Sequence, residues 1–165
     1  MENKYVIAVY VDNQAGVLTR VASMFTRRGF NIDALTVGET EHKDYSRITI
    51  CLRGDENVKE QLVHQLEKLL VVKKVELLES DSIQRELMLI KVNNDVKTRT
   101  DVMTAVDVFR ASVIDYCAEA MCIEVTGSPQ KIDAFIKLVE PFGILEMCRT
   151  GVVALDRGVK TLLNR

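Results

Sequence analysis

Residues 5–11 read YVIAVYV and residues 12–21 read DNQAGVLTRV, so an apolar segment precedes a glycine-containing loop and an amphipathic segment. Both faces of the first segment are apolar, which predicts a central strand that is covered on both sides. Apolar residues then recur at helical spacing from Val17 onward, and Gly29 provides a left-handed stop. The beginning of the chain is therefore predicted to form a strand, a loop and a helix.

The remainder of the chain continues and then repeats this order. Further strands are expected at 31–38, 47–52 and 72–79, with a helix marked by Val58, Leu62, Leu66 and Leu69. The second half shows strand patterns at 86–92, 112–117, 121–126 and 144–154 and helix patterns at 100–109 and 129–139. We therefore predict an α+β protein of two tandem ferredoxin-like βαββαβ domains, 1–79 and 80–165, with antiparallel sheets and helices on one face.

The first strand predicts a second chain as well. A βαββαβ domain leaves one face of its sheet open, yet Val6, Ala8 and Tyr10 make that side of the first strand apolar. Each half of the 165-residue chain would also be marginal as an independent domain, so we expect the halves to pack together or to dimerise. A homodimer is the simplest way to cover this apolar face.

Composition excludes several classes of protein. The chain has 22 basic and 24 acidic side chains, a net charge of −2, and only 5% aromatic residues, so neither nucleic-acid binding nor an RNA recognition module is expected. The start of the sequence lacks a signal-peptide pattern, and no apolar run approaches the roughly 18 residues of a membrane span. We expect a cytoplasmic protein.

The cysteines and histidines give no sign of a metal or catalytic site. Two histidines are present, and no C-x-x-C spacing occurs among the four cysteines, which are Cys51, Cys117, Cys122 and Cys148. We interpret the cysteines as buried, reduced thiols without disulfides. No residue is predicted to be catalytic or to bind a metal.

The loop after the first strand is the candidate binding site. No charged residue occurs from Asn13 to Thr19, and the loop presents backbone N–H groups at a helix N-terminus, which favours a small anion. With Asn31 near a dimer seam, the loop could hold an amino acid, whose apolar side chain would lie against Val17, Leu18 or Ile32. The alternative is an ordinary turn, since Asn and Gly are favoured there for backbone reasons.

These motifs resemble a known family. Residues 12–21, 27–37 and 46–50 are similar to the ACT domain of the small, regulatory subunit of acetolactate synthase (acetohydroxyacid synthase). The resemblance continues through the second half, at residues 85–92, 124–127, 131–135, 146–151 and 157–158. A generic ACT domain would match only the first of these segments, so the second half makes the resemblance specific.

The resemblance implies a function without catalysis in this chain. It implies a homodimer through ACT domains and a large catalytic partner that carries thiamine diphosphate, Mg²⁺ and FAD and forms acetolactate from pyruvate. The small subunit would activate that partner and mediate feedback inhibition by a branched-chain amino acid, with valine first among them, in valine, leucine and isoleucine biosynthesis. The alternatives are a free-standing ACT-type amino-acid sensor and a small stand-alone enzyme.

The resemblance also assigns the effector site. Asn13, Gly16 and Asn31 match family positions implicated in effector binding. By the same resemblance the pocket is lined by their neighbours Gln14, Ala15, Val17, Leu18 and Ile32. The sequence does not choose among valine, leucine and isoleucine, because one methylene contributes only about 1–3 kcal/mol in an apolar pocket.

Overall fold

The computed structural model describes residues 3–163 and divides them into two compact units. The first unit contains the described residues up to Ile83 and again from Val152 onward, and the second contains Gln84–Gly151. The sequence boundary of 79/80 placed everything after it in the second domain. The structure differs at the C-terminus, because Val152, Ala154 and Leu162 pack against the first sheet.

The order of elements repeats βαββαβ, and this prediction is confirmed. In chain order the elements are β1 (Asn3–Asp12), α1 (Val17–Arg28), β2 (Ile32–Glu39), β3 (Tyr45–Gly54), α2 (Glu56–Glu67), β4 (Val72–Leu77), β5 (Ile83–Asn93), α3 (Arg99–Val108), β6 (Ser112–Tyr116), β7 (Ala120–Gly127), α4 (Pro129–Val139), a 3₁₀ turn (Glu140–Phe142), β8 (Ile144–Arg149) and β9 (Val153–Leu155). The strand expected at 144–154 is broken, since Gly151 adopts a left-handed conformation with φ of 80° between β8 and β9.

The first sheet has the order β2-β3-β1-β4 and is antiparallel throughout. Strand β1 lies inside the sheet, as its apolar sequence predicted, and pairs with β3 from Asn3↔Gly54 to Asp12↔Tyr45. Its helix-facing side chains join α1 and α2 in the first core, which includes Ile7, Val9, Val11, Val21, Phe25, Ile48, Ile50, Leu62 and Leu66. This arrangement positions the loop that follows β1 at one end of the sheet.

The other face of the first sheet is covered by the same chain. Val152, Ala154 and Leu162 pack in one cluster with Val6, Ala8, Tyr10, Cys51 and Leu78. The expectation that a second chain covers this face is therefore wrong for the part that the C-terminal segment occupies. The homodimer remains a prediction, but the apolar face of β1 no longer supports it.

The second sheet follows the path β6-β7-β5-β8, with β9 also paired to β5, and α3 and α4 pack on it. A charged network joins three of its elements. Arg149 on β8 donates from Nε and Nη2 to the Glu86 carboxylate on β5 at 2.7 and 2.8 Å, and from Nη1 to Asp133 on α4 at 2.9 Å. Glu86 is only 4% exposed. Hydrogen bonding to Glu86 raises the pKa of the Arg149 guanidinium above its ordinary value, so the arginine stays charged.

The cysteines differ in part from expectation. None is disulfide-bonded, and Cys51 is buried, but Cys122 is half-buried and Cys117 and Cys148 are exposed. Apolar patterning misplaced the last two, because Cys117 lies just after the edge strand β6 and Cys148 lies on the edge strand β8. Within residues 3–163, no three His, Cys, Asp or Glu side chains converge as metal ligands. The described helices include none that is long and apolar enough to cross a membrane.

Candidate functional site

The loop between β1 and α1 is anchored on the β4 side by Asp12. The backbone N–H of Asp12 donates to the Val71 carbonyl at 2.9 Å, and its carboxylate pairs with Lys73 Nζ at 3.1 Å. Lys73 therefore offsets the nearest negative charge on the β1 side of the loop.

Asn13 fixes the other side of the loop to the hairpin between β2 and β3. Its Nδ2 donates to the Lys43 carbonyl at 2.9 Å, its Oδ1 accepts from Ser46 Oγ at 3.0 Å, and its backbone N–H donates to the Asp44 carbonyl at 2.8 Å. Both polar atoms of the side chain are thus engaged within the chain. Asn13 positions the loop in this structure, and a direct contact of Asn13 with a ligand stays a prediction.

Gly16 leaves the N-terminus of α1 without a side-chain cap. Its φ of 85° and ψ of −8° are left-handed, and an added Cβ would meet nothing within 4 Å. Glycine is therefore favoured here by backbone conformation and not by lack of space. The first turn contains no acidic residue, so its outward N–H groups keep the partial positive charge of a helix N-terminus. In contrast, Asp55 caps α2 by accepting from Val58 N–H at 2.9 Å.

The predicted neighbours divide into exposed and buried side chains. Gln14, Ala15 and Gly16 are exposed, and Gln14 Nε2 lies 3.4 Å from the Asp12 carboxylate. Leu18 is 46% exposed and begins a shallow groove of about 510 Å³ along α1 that ends at Arg27. Val17 is only 6% exposed and belongs to the first core. Helix spacing turns the Val17 side chain toward the sheet, and its place in an effector pocket stays a prediction.

Asn31 and Ile32 lie at the opposite end of the same sheet. The loop follows Asp12, which pairs with Tyr45, whereas Ile32 pairs with Leu52. Tyr45 and Leu52 are seven residues apart on β3, and seven residues of strand span roughly 24 Å. One chain therefore does not bring Asn13–Leu18 together with Asn31 and Ile32, so a site that contains both sets needs two chains.

Comparison with known proteins identifies the family. Residues 7–74 match the family described as the acetohydroxyacid synthase small subunit-like ACT domain, and residues 85–158 match the family described as the small subunit of acetolactate synthase. The acetolactate synthase small subunit of Mycolicibacterium smegmatis is 47% identical over 155 residues, which cover 93% of this chain and 91% of that protein. The chain belongs to the acetolactate synthase small-subunit family.

Other acetolactate synthase small subunits agree with this assignment along nearly the whole chain. The protein from Mycobacterium leprae is 47% identical over 93% of this chain and 92% of its own length. The crystal structure of the Thermotoga maritima small subunit superimposes with a TM-score of 0.88 at 38% identity, covering 94% of this chain and 98% of that chain. The recognised family and the tandem ferredoxin-like fold are both confirmed.

Sequence reasoning missed the residues that hold the loop of this small subunit. Ser46 was not predicted to contact the loop, yet it is buried and donates to Asn13. A signal was present, because Ser46 occupies an inward-facing position in the alternation that continues with Ile48 and Ile50. The Lys43 carbonyl carries no sequence signal, since any residue supplies a carbonyl.

Proposed function

We propose that this chain is the regulatory subunit of acetolactate synthase and that its ACT domain binds a branched-chain amino acid, with valine as the first candidate. The observation that carries the proposal is the N-terminus of α1, which is uncharged, lacks a side-chain cap and follows a left-handed glycine. Asn13 holds this loop in place before any ligand arrives, which reduces the ordering cost of binding. Membership of the small-subunit family supports the same function.

The chemistry of the loop suits the carboxylate of an amino acid. A carboxylate at a helix N-terminus is stabilised by about 0.3–1 kcal/mol when exposed and by up to about 2 kcal/mol when partly buried. Burial of a valine or leucine side chain adds about 1.5–3 kcal/mol, for which Leu18 offers an exposed apolar surface. After the entropic cost of immobilising the ligand is subtracted, these contributions fit a weak, reversible regulatory site.

The complete site is proposed to form between two chains. The loop of one chain would supply N–H groups to the carboxylate, and Asn31 and Ile32 of the second chain would approach the ammonium and apolar groups. The separation of these two sets within one chain supports this arrangement. A homodimer would then carry two equivalent sites, related by its two-fold axis.

The catalytic chemistry is proposed to lie in the partner. In this proposal the large subunit binds thiamine diphosphate, Mg²⁺ and FAD, and this chain binds none of them. The small subunit would raise the turnover of pyruvate to acetolactate and transmit inhibition, and both subunits would be cytoplasmic. Inhibition would close a feedback loop on branched-chain amino-acid biosynthesis.

Reconstitution tests the proposal. The purified chain is mixed with the acetolactate synthase large subunit of the same source, and acetolactate formation is measured with and without valine, leucine or isoleucine. We expect no activity from the chain alone, a higher rate for the mixture than for the large subunit alone, and inhibition by valine only in the mixture. Pyruvate condensation by the isolated chain would contradict the proposal.

A calorimetric titration with the same amino acids separates binding from regulation. Valine binding without any effect on the large subunit would favour the free-standing ACT-type sensor. If the chain neither binds these amino acids nor activates the large subunit, both functions are rejected.

A further inference from the structure

The C-terminal segment Val152–Leu163, called here the strap, lies on the first sheet opposite to α1 and α2. Its inward side chains Val152, Ala154 and Leu162 are buried against the sheet. Its outward side chains are apolar as well, and Val153, Leu155, Val159 and Leu163 are all exposed. The strap therefore forms a thin cover over the first sheet.

Polar contacts hold the strap at both ends of the covered face. Arg47 on β3 donates from Nη2 to the Ala154 carbonyl at 2.7 Å, Arg157 donates from Nε to the Asp81 carbonyl at 2.7 Å, and Lys160 pairs with Glu79. Burial lowers the pKa of the Arg47 guanidinium from its ordinary value, while Asp156 and Glu41 raise it. Arg47 is thus a partly desolvated cation, and its hydrogen bond to the strap is of the charge-assisted kind.

The cover is incomplete beside Arg47. A cleft of about 730 Å³ lies between the hairpin and the strap, and its lining includes Tyr10, His42, Arg47 and Lys160. On this side the strap is separated from the hairpin by the cleft, so a local opening would begin here. Local openings of this kind occur where apolar contacts are few.

The hairpin that holds the strap also holds the loop of the candidate effector site. Ser46 donates to Asn13 in the loop, and the next residue, Arg47, donates to the strap from the opposite face of β3. On the strap side, Tyr10 stacks on Tyr45 with ring centres 4.9 Å apart, and its hydroxyl lies 3.3 Å from Thr40 Oγ1. A short chain of direct contacts therefore joins the loop to the strap.

We propose that the strap opens reversibly from the first sheet and that its opening is linked, through the β2–β3 hairpin, to the loop Asn13–Gly16. Occupation of the loop by an effector fixes Asn13 and Ser46, steadies Arg47 and keeps the strap closed. The opening itself is independent of any ligand, whereas its response to an effector rests on the proposed function.

Cys51 provides a natural reporter of the opening. It is 2% exposed and lies in the cluster that the strap covers. In the full chain with Cys117→Ser, Cys122→Ser and Cys148→Ser, the rate of maleimide labelling at the remaining thiol measures how often the strap lifts. We expect this rate to be nearly independent of urea below the unfolding transition, because a local opening exposes little surface. A rate that follows global unfolding across all urea concentrations would overturn the proposal.

Two variants and one control test the contacts of the strap. We expect Arg47→Met, which keeps the apolar stem but removes the hydrogen bond, to accelerate labelling about tenfold or more. Leu162→Ala should accelerate it as well without touching Arg47. The matched control is Arg53→Met, since Arg53 is on the same face of β3, is 62% exposed and pairs with Asp33 away from the strap. The proposed opening would be rejected if Cys51 were labelled at the same rate in Arg47→Met, Leu162→Ala and Arg53→Met.

Two further measurements test the link to the loop. Asn13→Ala should accelerate labelling several-fold although Asn13 does not touch the strap, and saturating valine should slow it at least threefold in the chain that retains Asn13. Calorimetry on the same protein shows whether a missing response to valine comes from a missing link or from a missing effector site. Valine binding with an unchanged labelling rate would reject the link and leave the effector site standing. Absence of valine binding would reject the effector site and its link, and the Arg47 comparison would still decide on the opening.

Discussion

The first βα turns of the two units begin with the same anchor and end differently. Asn13 donates from Nδ2 to the Lys43 carbonyl at 2.9 Å, and Asn94 donates from Nδ2 to the Cys117 carbonyl at 2.6 Å. Each also donates its backbone N–H to the following hairpin, Asn13 to Asp44 and Asn94 to the Glu119 carbonyl. An asparagine that ties a βα turn to its hairpin is therefore a shared structural device of both units.

The second turn uses its own charges where the first remains open. Asp95 Oδ1 accepts from Lys97 N–H at 2.8 Å, and Arg99 Nε donates to Asn94 Oδ1 at 2.7 Å. In the first turn the carboxylate of Asp12 pairs with Lys73, and Gly16 precedes α1 without a side-chain cap. The comparison teaches that the anchor alone does not make a binding site. In the proposed function, it is the uncapped and uncharged helix start that leaves the first turn available to an anion.

The largest expected effect tests whether the second unit depends on its internal charges. Arg149→Met would leave the Glu86 carboxylate buried without its partner, which should destabilise the second unit by about 3–5 kcal/mol. The matched change in the first unit, Lys73→Met, removes a more exposed partner of Asp12 and should cost about 0–1 kcal/mol. Hydrogen exchange in urea, read at the β5 and β1 amides, reports the two units separately.

A second substitution at the same site controls for packing. The double variant Glu86→Leu, Arg149→Met should regain much of the lost stability, because no buried charge then remains. A loss below about 1 kcal/mol for Arg149→Met alone would mean that solvent screens the network.

The next effect concerns the charge of the first turn. Gly16→Asp places a carboxylate where a ligand carboxylate is expected. We expect valine binding to weaken about a hundredfold, because the attraction of the helix N-terminus is lost and the two carboxylates repel each other. Gly16→Asn is the matched control, because asparagine has nearly the same shape, tolerates a positive φ and is neutral. Calorimetry should show a much smaller loss for Gly16→Asn, and activation of the large subunit should survive both changes. Equal losses would assign the effect to backbone strain.

Sequence patterns predicted what depends on local periodicity. The apolar run of β1, the helical spacing from Val17 and the Ser128-Pro129 start of α4 all carry local signals, and each element formed where expected. The return of Val152–Leu163 to the first sheet had no such signal, since β9 is only three residues long and its partners lie far away in sequence. Resemblance gave the site residues, but only the sheet register showed that Asn31 lies far from the loop.

A mixed dimer tests whether the effector site combines residues from two chains. Asn31→Ala should weaken valine binding about tenfold to a hundredfold, equivalent to about 1–3 kcal/mol, by removing a partner from a partly buried zwitterion. Stability should hardly change, because Asn31 is exposed ahead of β2. A dimer of one Asn31→Ala chain and one Gly16→Asp chain should retain one intact site, whereas either homodimer retains none. Titration of the mixed dimer without a strong site would reject a pocket shared between chains.

The smallest effect compares the helix starts at Ser128 and Gly16. Ser128 is extended, with φ of −66° and ψ of 156°, and its Oγ accepts from Lys131 N–H at 3.3 Å. Ser128→Ala should therefore cost about 1 kcal/mol of the stability of the second unit.

Gly16→Ser adds the same hydroxyl to α1 but in a left-handed conformation, whereas a capping side chain needs the extended conformation. We expect Gly16→Ser to give no gain and to cost up to about 1 kcal/mol, because a side chain is strained at positive φ. Urea unfolding read by hydrogen exchange measures both changes. A stabilised first unit in Gly16→Ser would show that the loop readily adopts the extended conformation, and the pre-positioned N-terminus on which the effector site depends would then be wrong.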